Sequence, residues 1–205
     1  MKELIQEIKQ INQIDPTSED LRFTKTVEEW GELVQAINIS LGRKKSDLDK
    51  NQMLDLILEE SADTIQCLLS WADTLGIAMS SDSNDYNFST MEVTEVTQEV
   101  RQMQILLADL SRNPSAELFK QNIQQVSLIA YMYNFEFADI ISKISEKNQK
   151  WKNIVIQNSK QNHHRKAAQD RLDKINSLTS EQRCFIGGIV DDLEDLSKRI
   201  LELTS

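Results

Sequence analysis

Residues 25–37 read KTVEEWGELVQAI. Val27, Trp30, Leu33, Val34 and Ile37 recur three and four positions apart, which predicts an amphipathic helix. At about 100° per residue, Val27, Trp30, Val34, Ile37 and Leu41 form one stripe, and Leu33 and Ala36 widen it. The acids are the anomaly. Glu29 falls inside the widened arc, Glu32 at its border and Glu28 outside it. A carboxylate on a face meant for burial loses hydration and needs a compensating partner.

Working outward, the helical pattern continues in both directions. Leu4, Ile5, Ile8, Ile11 and Ile14 predict a helix over 2–14. Pro16 ends it or starts the next. Thr17 or Ser18 can cap a helix over about 19–41, with Glu19 and Asp20 favourable in its first turn. Gly42 stops it, and RKKSD makes a polar turn. Asp49 or Asn51 can cap the next helix, over about 51–76, with Gly76 as its stop. SSDSNDYN, 80–87, is the best linker candidate. Further helices are expected over about 90–112, 115–134 and 136–158, with Pro114 near a helix start. A polar helix over about 164–176 and an amphipathic one over about 179–203 complete the chain, the last weakened by Gly187-Gly188.

The fold class is therefore all-α: a helical bundle, divided into 1–79, a second helical half over 88–158 and a C-terminal helical extension over 159–205. The composition agrees. The chain has 205 residues, enough for a real core, with only five Gly and two Pro. Its formal charge of −10 argues against binding a polyanion with the whole surface. One segment, Lys143 to Lys174, runs the other way, with nine Lys or Arg against three acids, and can steer a small anion or simply be a solvated face. Its basic residues are not interleaved with aromatics, so no nucleic-acid partner is expected. Cys67 and Cys184 fit no metal spacing and no disulfide framework. No stretch approaches the roughly 18 apolar residues of a membrane span, and the charged N-terminus lacks a signal-peptide core. A cytoplasmic protein is the expectation.

The acids recur on the next helix. Glu60 and Asp63, in LEESADTIQCLLSWAD (58–73), are again i and i+3, as are Glu29 and Glu32. Two helices joined by a short loop can bring these pairs face to face. Four carboxylates in a partly buried space repel one another. A hard divalent cation relieves the repulsion, and all-oxygen ligands suit Mg²⁺, or alternatively Mn²⁺, rather than zinc.

EEWGE (28–32) followed by EESAD (59–63) across a basic turn resembles the EExxE…ExxD signature of the all-α nucleoside triphosphate pyrophosphohydrolases. These are the MazG-like enzymes, related to the dimeric-type dUTPases. KISEKNQKW (143–151) is similar to the Lys/Asn segment of that family, although eighty positions separate Asp63 from Lys143. The resemblance implies hydrolysis of a nucleoside triphosphate to a monophosphate and pyrophosphate, in a homo-oligomer. It implies that Glu29, Glu32, Glu60 and Asp63 hold Mg²⁺, that Glu28 or Glu32 orients or deprotonates water, and that Lys143, Lys147, Asn148 and Lys150 meet phosphate. A helical interaction protein or a nucleotide sensor that keeps the fold without turnover is the alternative.

Other features carry less. TIQCLLSWADTLGI (64–77) echoes NIQQVSLIAYMYNF (122–135), and 28–41 loosely echoes 98–110. Either all amphipathic helices look alike, or a degenerate duplication closes the bundle without holding metal, since Gln121 falls where Asp63 would be. His163 and His164 are adjacent and point about 100° apart on a helix, so they are no chelating pair. Trp30 and Trp71 continue apolar stripes and are expected in the core, while Trp151, between two lysines, can stack on a base. There is no Gly-rich phosphate loop.

Overall fold

The computed structural model of the chain describes residues 1–14, 17–86, 95–176, 198–199 and 202. Beyond residue 154 it describes side chains only at Lys166, Gln169, Asp173, Lys198, Arg199 and Glu202. Every regular element among the described residues is helical: α1 (Lys2–Ile14), α2 (Glu19–Ser40), α3 (Lys50–Thr74), a short 3₁₀ turn (Ser83–Tyr86), α4 (Val96–Arg112), α5 (Ala116–Tyr131) and α6 (Phe137–Asn176). The chain divides into two units, Met1–Gln149 and Lys150–Ser205. The first holds 1–79 together with most of the expected second half.

Local chemistry sets the helix starts. Ser18 caps α2 by accepting from the Leu21 amide, and Ser115 caps α5 by accepting from Leu118. At α3, Asp49 accepts from the Asn51 and Gln52 amides, while the Gln52 side chain accepts from the Asp49 amide. That reciprocal pair is a capping box. The ends are equally local. Gly42 and Gly76 both sit at φ 70°, where a side chain is disfavoured.

The faint sequence echo extends to the second stop. Asn134 adopts φ 68°, and Phe135 N donates to Ala130 O as Ile77 N donates to Ala72 O. Asn134 N likewise donates to Tyr131 O as Gly76 N does to Asp73 O. Gly76, Ile77, Ala72 and Asp73 therefore match Asn134, Phe135, Ala130 and Tyr131 at one constant offset, as the two sequence stretches do.

In the first unit α3 is the centre. It packs against α2, α1 and α5, and α4 packs against α5. Leu33, Ile57, Ile65, Leu68, Trp71, Met103, Phe119, Ile123, Val126 and Ile144 are buried together. Trp71 lies 5.2 Å from both Phe23 and Phe119, ring to ring, and Trp30 is also buried, as their stripes predict.

Two sequence expectations need correction. The buried face of α2 is Thr26, Glu29, Trp30, Leu33, Ala36 and Ile37, whereas Val27 and Leu41 are 42% and 40% exposed. The partner helix α3 covers the Leu33–Ala36 side of the predicted stripe and leaves its far edge in water. Second, 136–158 and 164–176 are not two helices. α6 runs unbroken for 40 residues, because the intervening SKQNH offers no Gly or Pro to stop it. The expected helix over 179–203, with Cys184 and Gly187-Gly188, lies outside the described residues apart from Lys198, Arg199 and Glu202.

Candidate metal centre

The α2–α3 hairpin brings the two acidic edges together. Glu29, Glu60 and Asp63 each offer one carboxylate oxygen, and these atoms lie within 4.8 Å of one another. Glu29 is buried at 7% exposure, and Glu60 and Asp63 are half-buried. Thr64, buried beside Asp63 in the chain, donates its hydroxyl to Glu60 O at 2.8 Å.

Glu32 stands at the rim. It is exposed and outside the converging trio, yet its charge reaches both Glu29 and Glu60. Glu28, one turn before Glu32 on the same helix, is exposed and pairs with Lys25 at 3.2 Å.

Two lysines already serve the cluster. Lys25 lies 2.7 Å from Glu29 Oε1 on the same helix. Lys147, reaching in from α6, donates to Asp63 Oδ2 and lies 2.9 Å from Glu59 Oε1. The hydrogen bond to Glu29 holds the Lys25 ammonium well above its ordinary range, against the opposing pull of burial. For Lys147, burial pulls down, but the bonds to Asp63 and Glu59 outweigh it and leave the group more firmly protonated.

Among the described residues no lysine forms an ion pair with Glu60, although the charge of Lys147 reaches it. Glu60 Oε2 is buried and accepts no hydrogen bond. Burial, then the charges of Asp63, Glu32 and Glu29, push its carboxyl up to about 7. Burial also raises Glu29, opposed by Lys25. Behind the site, burial and the same acids push the Cys67 thiol up to about 12, which makes it an inert wall rather than a thiolate ligand.

The Lys/Asn segment divides. Lys147 is at the site. Lys143, one turn earlier on α6, is half-buried and has no ion pair among the described residues. Asn148 is fully buried, accepting from Gln66 Nε2 at 2.9 Å and donating to Glu7 Oε2 at 3.3 Å. There it joins α1, α3 and α6. Lys150 belongs to the second unit and is exposed, and Trp151 beside it is half-buried.

Sequence reasoning missed Lys25 and Glu59. The first was readable, because it precedes Glu29 by one turn. It also missed Glu99, which is buried on α4 at a position matching Glu29 in the looser echo. There Gln125 donates to Glu99 Oε2 at 2.6 Å, so the second hairpin meets its buried acid with a neutral amide.

No protein-family model, no curated protein and no solved structure matches the chain.

Proposed function

We propose that the chain is a Mg²⁺-dependent nucleoside triphosphate pyrophosphohydrolase, with Mn²⁺ as an alternative ion. The observation that carries this is Glu60 Oε2, a buried carboxylate oxygen without a partner, in a trio whose ligand atoms lie within 4.8 Å of one another. An acid left in that state favours a hard cation, and the all-oxygen donor set suits Mg²⁺. The EExxE…ExxD spacing supports the substrate class.

In this proposal Glu29, Glu60 and Asp63 hold the ion, and Glu32 completes the set or acts from the rim. When bound, the ion neutralises phosphate oxygens and makes water easier to deprotonate. Glu32, exposed beside the trio, accepts the proton from the attacking water. Glu28 reaches that role only by leaving Lys25. Lys147 and Lys143 offer positive charge to the phosphates. The product pair is a nucleoside monophosphate and pyrophosphate. The setting is the cytoplasm and the working form a homo-oligomer. Among the described residues no helix is long and apolar enough to cross a membrane.

The test is release of pyrophosphate from a panel of canonical and damaged deoxynucleoside triphosphates with Mg²⁺. Absence of turnover on every member, with the fold intact, defeats the enzymatic proposal. A second reading, a helical protein that keeps the fold without catalysis, draws on the two lysines that already neutralise much of the cluster. It expects Glu60→Gln to leave cation affinity unchanged.

A further inference from the structure

We infer that Lys147 is the resident counter-ion of the acid cluster, and that a divalent cation taking Asp63 displaces its ammonium to Glu59 and to a substrate phosphate. This rests on the cation-binding proposal above and goes beyond it, since it couples loading of the ion to release of a phosphate-binding group.

Lys147 Nζ donates to Asp63 Oδ2, and Asp63 supplies one of the three converging ligand atoms. An ammonium and a divalent ion drawn to one carboxylate are positive centres at close range. They repel, and more strongly where water is scarce. Binding of either therefore weakens the other. The exchange has somewhere to go: Glu59 Oε1 lies 2.9 Å from the same Nζ, is outside the trio, and its side chain is 44% exposed. Little else has to move. Ile144 and Asn148 are buried on either side of Lys147 and hold α6 in place, while the lysine ends in a flexible four-carbon stem. Lys25 is a different case. It pairs with Glu28 and Glu29 one turn along its own helix, a pairing that needs no tertiary fold.

Calorimetric titration of the full chain with Mn²⁺ alone tests the exchange. Lys147→Met removes the competitor and is expected to bind Mn²⁺ about fivefold more tightly than the wild type. Lys147→Arg, whose fork grips two carboxylates, is expected to bind it about fivefold more weakly. Should Lys147→Met fail to fold without metal, Lys147→Arg carries the comparison. A wild type that binds no Mn²⁺ sinks the cation-binding proposal itself. A wild type that binds it, with Lys147→Met no tighter or Lys147→Arg no weaker, overturns the exchange alone.

Discussion

Glu60 carries one oxygen that is sealed from water and accepts no hydrogen bond, and its neighbours within reach are mostly acids. Burial and those acids push its carboxyl up to about 7, so it gives up its proton less readily than a solvated carboxyl. Replacing the acid by a neutral amide removes the repulsion. Glu60→Gln is therefore expected to stabilise the metal-free protein by about 1 kcal/mol, allowing for partial screening. Thermal denaturation reads this as a rise of roughly 2–4 °C. On the cation-binding proposal, the same variant is expected to lose Mn²⁺ affinity by about tenfold or more, read by calorimetry. The sign of the pH effect follows. The folded-state value lies above the unfolded one, so between about pH 4.5 and 7 the native protein holds a proton that the unfolded chain has released. Glu60 therefore costs stability increasingly as pH rises through that window, and no further above it. The melting-temperature difference between Glu60→Gln and wild type should widen from pH 5 to 7 and then level off. A constant difference would place the proton elsewhere.

At the scale of elements, helix ends are set within a few residues. Gly76 stops α3 in the left-handed region, and a Cβ added there would meet nothing within 4 Å. The cost of Gly76→Ala is thus backbone strain alone, about 1 kcal/mol. Denaturant titration should show a lowered midpoint with an unchanged slope. Asp49→Ala, which breaks the capping box of α3, should cost about as much. These features were legible because capping and stopping are local: Ser18, Asp49, Gly42 and Gly76 act on amides and carbonyls a few positions away. The length of α6 was misjudged for a related reason. A polar stretch weakens the apolar pattern but does not itself end a helix, and 137–176 contains no residue that breaks one.

For the molecule as a whole, the informative contacts span the chain. Asn148 lies 141 positions from Glu7 and 82 from Gln66, and its amide bonds to both. A phosphate-binding asparagine and a buried tie fail differently when shortened. Asn148→Ala is expected to lower stability by about 2 kcal/mol through the unpaired buried groups it leaves. On the proposed hydrolase activity, its KM for nucleotide should stay near the wild-type value once the protein is folded. A raised KM with unchanged melting temperature would return Asn148 to the phosphate site.

The amino-acid sequence alone determined the all-α class, the starts and stops of α2 and α3, the burial of Trp30 and Trp71, and the facing of the Glu29/Glu32 edge by the Glu60/Asp63 edge. Each follows from spacing along one helix or across one short loop, where chain connectivity leaves little choice. Only the tertiary structure decided that α2 turns Val27 outward, that Asn148 is buried between Gln66 and Glu7, and that Lys147 sits on Asp63 from 84 positions away. Those outcomes depend on which faces compete for burial against α3. That competition is settled by packing among segments distant in sequence, and no local pattern records it.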